Sequence, residues 1–109
     1  MKKIDAIFPA DRLERVKNIL YPLNIGGMIV SHVRGIGLQR GDLKQKEKRF
    51  FEFPKIKLEL VVRDSELQKA LDLIIETTQT GHLGDGKIFI YDIHETVRIR
   101  TGEYGENAV

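Results

Sequence analysis

Cysteine is absent from this 109-residue chain, which removes both a disulfide framework and a thiolate metal site and makes a reducing compartment the simplest home. No apolar run approaches the roughly 20 residues that cross a bilayer. The opening Met1-Lys2-Lys3-Ile4-Asp5 puts an acid where a signal peptide would carry its apolar stretch, so a soluble, cytoplasmic protein without membrane insertion is expected. An excess of one charge is missing too. With 18 basic and 16 acidic residues the formal net charge is +2, too balanced for a general nucleic-acid coat, and any electrostatic binding has to be local. Catalytic sets are also lacking: His32, His82 and His94 are widely separated and lack the i, i+4 spacing of a helical zinc site, and no nucleophile elbow or carboxylate pair stands out. The expectation is a binding protein, not an enzyme, formed as one domain whose 41% hydrophobic content suffices for a two-layer core.

What is present reads as two similar halves. Lys3 to Phe8 is rich in β-formers and stopped by Pro9, which predicts a first strand. Asp11 with Glu14 forms a capping-box pattern, and Leu13, Val16, Ile19, Leu20 and Leu23 recur at helical spacing until Pro22 and Gly26-Gly27 end the helix. Met28 to Ile36 reads as a second strand with poor alternation. In the third, Ile56, Leu58, Leu60 and Val62 face one way and Lys55, Lys57 and Glu59 the other. Ser65 with Gln68 then predicts a cap for a second amphipathic helix through Thr78, and Lys87 to Ile93 a fourth strand. The order βαββαβ points to an α+β sandwich with both helices on one face of an antiparallel sheet. The other face needs cover, which self-association would supply.

Residues 37–53 exceed what a hairpin needs and read as a projecting loop. Arg40, Lys44, Lys46, Lys48 and Arg49 lie among Asp42, Glu47 and Glu52, with Phe50, Phe51 and Phe53 at the returning end. Basic residues interleaved with aromatics suit single-stranded nucleic acid, which makes a small nucleic-acid-binding module the rival function; the acids dilute the field, and a solvated loop is favoured over nucleic acid. A third reading is a partner-binding probe with the phenylalanines as anchors.

The clearest functional signal is Thr80-Gly81-His82-Leu83-Gly84-Asp85-Gly86-Lys87, with Arg98-Ile99-Arg100 beyond it. Residues 81–87 formally match G-x-x-x-x-G-K, yet Ile88 stands where a P-loop carries Ser or Thr, and the order is helix, loop, strand. That order aims the wrong end of the helix dipole at a phosphate, which excludes the usual NTPase arrangement. Two readings stand: backbone amides of residues 84–87 with nearby cations cradle phosphate, or Gly81 is a helix C-cap followed by an ordinary turn at Asp85-Gly86. Arg98 and Arg100 would share one face of an extended segment, which favours phosphate; the plainer alternative is a solvated edge strand.

The opening Met1-Lys2-Lys3-Ile4-Asp5-Ala6-Ile7, the run Gly27-Met28 to Gly37, the strand Pro54 to Val62, and above all Thr77 to Gly102 resemble the P-II nitrogen-regulatory signal-transduction proteins. The resemblance covers nearly the whole chain. It implies a homotrimer of ferredoxin-like subunits that binds ATP or ADP in clefts between neighbours and signals through a long loop to a regulated transporter, enzyme or regulator, with recruitment to a membrane transporter among the roles. The implied segments are a T-loop at 37–53, a B-loop at 81–87 and a C-terminal loop at 95–109. Implied nucleotide residues are Ile7, Gly35, Gly37, Leu38, Gln39, Glu59, Val61, Gly84, Asp85, Gly86 and Lys87, with Arg98 and Arg100 reaching across from the neighbour. A subsite for Mg2+ with 2-oxoglutarate would fall on Gln39, Arg40, Gly41 and Lys55, and the partner-binding loop on Arg40, Lys44, Lys46, Arg49, Phe50 and Phe51.

The chain departs from the family pattern at several points. Its loop is short and has neither tyrosine nor serine, which removes the uridylylation and phosphorylation known in relatives. Leu38 and Pro9 stand where basic residues are usual, and Ile29 where a polar adenine-side contact is common. Whether 2-oxoglutarate binds is thereby left open. A variant that regulates a non-ammonium transporter, such as a metal efflux system, without sensing 2-oxoglutarate is the alternative the resemblance allows.

Overall fold

In the structure, a computed structural model describing residues 1–39 and 49–109, four strands and two helices follow the order expected. The strands are β1 (Lys2–Pro9), β2 (Ile29–Gln39), β3 (Arg49–Val62) and β4 (Lys87–Asp92); the helices are α1 (Leu13–Leu20) and α2 (Asp64–Thr78). They form one antiparallel sheet in the order β2-β3-β1-β4, the ferredoxin-like α+β arrangement.

Strand register explains where the core sits. β1 pairs with β3 from Lys2↔Val62 to Pro9↔Lys55, so Ile4, Ala6 and Phe8 fall on the same face as Leu60, Leu58 and Ile56. These residues are buried against Val16 and Leu20 of α1 and Ala70 and Ile74 of α2. In α2 the buried positions Ala70, Ile74 and Thr78 recur every four residues, a single helical stripe, and the Thr78 hydroxyl is satisfied inside it by donating to the Ile74 carbonyl at 2.8 Å.

Several local expectations need correction. Neither capping box forms. Asp11 is taken up in a 3-10 turn at Ala10–Arg12, so α1 begins after it without a side-chain cap. α2 starts at Asp64, which places Ser65 inside the first turn; Gln68 donates to Asp72 instead, and Asp64 receives the Met1 ammonium at 2.8 Å. Residues 37–39 and 49–53 of the expected loop are strand instead: Arg34↔Pro54 to Gln39↔Arg49 continue the β2–β3 ladder past the end of β1. Pro9 and Pro54 mark that border, where a strand without an N–H donor costs least. Lys44, Lys46 and Lys48 of the expected loop lie outside the described residues, as do Arg40 and Gly41. Residues 97–104 are not an extended segment with Arg98 and Arg100 on one face. Val97 bridges Tyr104, and the chain reverses with the Arg98 amide donating to the Glu103 carbonyl at 2.9 Å and the Gly102 amide to the Arg98 carbonyl at 2.7 Å.

Leu58 is completely buried at the centre of the sheet. Leu58→Ala is expected to cost about 2–5 kcal/mol through lost transfer energy and the cavity left behind, whereas Ile99→Ala, at a position 99% exposed, should stay within about 0.5 kcal/mol. Urea unfolding of both variants at one protein concentration measures the difference.

Candidate functional site

The segment from Thr80 to Lys87 is built by one carboxylate and one glycine. Asp85 accepts from the Thr80 amide at 2.7 Å, the Gly81 amide at 2.9 Å and the Thr80 hydroxyl, closing the loop directly after α2. Gly86 then passes over β1 with φ of +108°, and a Cβ there would lie 1.8 Å from the Ile7 carbonyl oxygen. No residue with a side chain fits. This close approach delivers Lys87 into β4 opposite Ile7, at the rim of a cleft.

That cleft, of about 390 Å³, is lined by Ile7, Gly35, Ile36, Gly37, Phe53, Lys55, Leu83, Gly84, Gly86, Lys87 and Phe89. It therefore brings together Ile7, Gly35, Gly37, Gly84, Gly86, Lys87 and Lys55 from four separate stretches of sequence. Lys55 ties two of them, with its ammonium donating to the Gly84 carbonyl; its stem lies over Gly35, where a Cβ would be 2.9 Å from Lys55 Cγ. Leu38 and Gln39 follow in β2, their backbones paired with Phe50 and Arg49. Asp85 does not line the cleft; its carboxylate is committed to Thr80 and Gly81. Of the apolar walls, Ile36, Leu83 and Phe89 have no role of their own in sequence reasoning, which sets Phe53 in the projecting loop instead. Phe89 alone carried a usable signal, because the period of two along β4 puts it on the same face as Lys87.

Glu59, Val61 and Arg98 lie elsewhere. They line a second cleft of about 470 Å³ with Lys3, Gly26, Gly27, Met28, Ile29, Leu60, Thr96, Ala108 and Val109. The two clefts share no residue and sit toward opposite ends of β1, one at Ile7 and the other at Lys3. Arg100 is exposed and lines neither. Between the clefts the helix-free face carries an alternating charge network: Lys3 stands 3.0 Å from Glu59 and 3.4 Å from Asp5, and Lys57 3.8 Å from Glu59 and 4.0 Å from Asp5. Asp5 is only 4% exposed, so the lysines offset the cost of burying its charge. The hydrogen bond from Lys3 holds the Glu59 carboxyl below the usual carboxylate range, and Glu59 in turn raises Lys3. Among the described residues no group of three or more His, Asp or Glu side chains could hold a metal ion, and no helix is long and apolar enough to cross a membrane.

Fold and clefts together define a ferredoxin-like domain with a cleft toward each end of β1, and the residues expected at one site are divided between the two. The sequence profile of the family "Nitrogen regulatory protein P-II" matches residues 1–103, and the chain belongs to that family, whose members are regulatory signal transducers and not enzymes. It is 45% identical to the nitrogen regulatory protein P-II of Pasteurella multocida and 44% identical to nitrogen regulatory protein P-II 1 of Escherichia coli K12, each alignment covering 100% of both chains. Among solved structures it resembles a B. subtilis GlnK-ATP complex with a TM-score of 0.86 at 30% identity, covering 99% of this chain and 94% of that one. A second B. subtilis GlnK structure matches with a TM-score of 0.85 at 29% identity, covering 99% and 97%.

Asp85 supplies a pH prediction. The Thr80 hydroxyl, then the Thr80 and Gly81 amides, hold its carboxyl below the usual range. A carboxylate whose folded pKa is depressed contributes stability that is present above its unfolded value of about 3.9 and is lost as pH falls through the folded value. The Thr80 and Gly81 amide resonances should therefore shift together in an NMR titration, with a common midpoint below about 3.9. A midpoint at or above that value, or two unrelated midpoints, would count against the loop closure described here.

Proposed function

We propose that this chain is a nucleotide-sensing regulator that takes ATP or ADP into composite clefts between subunits and reports occupancy to a partner protein through the β2–β3 arm. The observation that carries this reading is the convergence of Gly84, Gly86 and Lys87 with Gly35 and Gly37 around one cleft at the base of that arm. The Gly86 approach to Ile7 leaves backbone where a phosphate chain can come close, and Lys87 supplies the cation. Leu38, Gln39 and Asp85 adjoin the same region in the chain. The similar B. subtilis GlnK was solved as an ATP complex, which supports an adenine nucleotide as the ligand here.

The division of the site argues for assembly. Glu59, Val61 and Arg98 cannot meet Lys87 within one subunit as folded, but a head-to-tail contact joins one copy's first cleft to the next copy's second, and repetition of that contact closes a ring. Three copies is the number the family resemblance implies. Arg98 and Arg100 then come from the neighbour to the phosphates. The same contact covers Ile29, Phe89 and Tyr91, all exposed on the helix-free face. Lys55 is placed for an additional small anion such as 2-oxoglutarate with Mg2+, for which Gln39, Arg40 and Gly41 are the other implied residues; Pro9 at the end of β1 contributes no charge there. The arm, with Arg49, Phe50 and Phe51 on its returning strand and Arg40, Lys44 and Lys46 beyond it, is the partner-binding element. Cytoplasmic residence with recruitment to a transporter is consistent with this scheme.

Nucleotide at the base of the arm acts only by differential affinity: it favours whichever arm arrangement leaves Gly35, Gly37 and Lys55 better placed around it. Calorimetric titration of ATP and ADP, with and without 2-oxoglutarate and Mg2+, tests the scheme. Lys87→Ala should weaken ATP by about ten- to a hundredfold, the value of one hydrogen bond to a charged group. Absence of binding to the unchanged chain, or indifference to Lys87→Ala, would remove this reading; light scattering on the same sample checks the trimer.

A further inference from the structure

Arg98 stands apart from every other cation assigned to the nucleotide cleft, because its guanidinium is held at both ends by residues that follow it in the chain. Nη2 donates to the Asn107 carbonyl at 2.9 Å and Nη1 lies 3.5 Å from Glu103 Oε1. The acceptors are themselves fixed. Arg98 and Glu103 share the backbone bonds of the 97–104 reversal. Asn107 belongs to the 3-10 turn Gly105–Ala108, which is tied to the body at two points: the Gly105 amide donates to the Thr96 carbonyl at 2.9 Å, and Arg63 Nη2 to the Glu106 carbonyl at 3.2 Å. Ala108 and Val109 then line the same cleft as Arg98. Arg100, two residues on, makes no hydrogen bond or ion pair among the described residues and is exposed.

We propose that Glu103 and the turn Gly105–Ala108 are the positioning element that aims Arg98 across the subunit boundary at nucleotide phosphate, an inference that rests on the nucleotide-sensing reading above. A free arginine loses much rotamer entropy when it is fixed on a ligand. Two anchored acceptors remove that loss before binding, which is preorganisation. The main anchor is a neutral carbonyl, so it orients the guanidinium without cancelling its charge. The Glu103 contact is long and half-exposed, and an ion pair of that kind takes little of the attraction for phosphate. Two of the five N–H donors face the anchors and three are left for a ligand. Arg63 is the remote peg: it lies outside both clefts and acts on Arg98 only through the turn.

The test uses full-length Arg63→Ala and Glu103→Gln, each titrated with ATP and with AMP, together with hydrogen exchange at residues 105–109. If the turn positions Arg98, each variant loses about three- to tenfold in ATP affinity, the worth of one ordinary hydrogen bond. AMP, lacking the outer phosphates, is held to within about twofold. In the unchanged chain ATP should slow exchange of the Gly105 and Val109 amides, since coupling between the turn and the ligand is reciprocal. Three results overturn the proposal: ATP affinity unchanged while the turn exchanges faster, equal losses for ATP and AMP, or a gain in ATP affinity, which would make the turn a competitor for Arg98. An unchanged chain that binds neither nucleotide would instead remove the nucleotide-sensing reading, and this role with it.

Discussion

One strand in two environments governs this molecule. The inner part of β3, from Lys55 to Val62, is paired with β1 throughout and with β2 as far as Glu59, and contributes Ile56, Leu58, Leu60 and Val62 to the core. Its outer part, Arg49 to Pro54, has only β2 beside it. The buried half cannot shift register by one residue without turning four apolar side chains outward and Lys55, Lys57 and Glu59 inward. The outer half carries no such penalty. A rigid base thus continues without interruption into an arm held by a two-stranded ladder, which is marginal by itself in water. Gly35, Gly37, Phe53 and Lys55 lie near the junction, and all four line the first cleft. The place where a ligand would sit is the place where the structure changes from fixed to adjustable.

The helix-free face shows how charge serves the same end. A sheet face in a small domain is normally apolar where it is to be covered and polar where it stays wet. Here it is mixed: Ile29, Phe89 and Tyr91 are exposed while Asp5 is buried. Lys3 and Lys57 each stand within 4.0 Å of both Asp5 and Glu59, so the four charges cancel locally and can be covered without leaving one alone. The arrangement is also directional, since Lys3 belongs to the second cleft and Lys57 pairs across β1 with Ile7 of the first. A surface of this kind favours one registered contact over general stickiness.

Much of this was legible in the sequence, for reasons that vary from one element to the next. The alternation through β3 and the four-residue spacing in α2 come from burial, and burial leaves a periodic trace. The extension of β2 and β3 into an arm was not legible, because Arg34, Ile36, Glu52 and Pro54 on one face and Gly37 and Phe53 on the other are all exposed, and such a ladder needs no alternation. The two capping-box patterns failed because they name residue types and not the helix start: one 3-10 turn and two residues of extra helix displaced them. The glycine-lysine segment was readable as a backbone cradle, but the reason for Gly86 was not. That reason is the Ile7 carbonyl, distant in sequence, and only the fold supplies it. The division of the site between two clefts was equally hidden, since it depends on which end of β1 each segment reaches.

How strongly the first cleft can act on the arm is a question of magnitude. The tie from Lys55 to the Gly84 carbonyl is a charge-assisted bond at a partly exposed site, worth about 1 kcal/mol after solvent screening. A ligand that drew Lys55 away would change the balance between two arm arrangements by about fivefold through this bond alone. Moving a population from one per cent to ninety-nine needs about 5.5 kcal/mol of differential binding. One lysine therefore cannot be the switch. The remainder has to come from contacts that also change with the arm, and the backbone at Gly35 and Gly37 is the part of the cleft that belongs to both. Glycine suits that position because the chain can alter its path there with the least steric resistance. In the proposed assembly the cooperating charges would come from the neighbouring copy: Arg98, held in place, would add affinity without needing to move, while the unanchored Arg100 would adapt. In that scheme fixed groups would set whether a ligand binds, and the adjustable backbone would set what its binding changes.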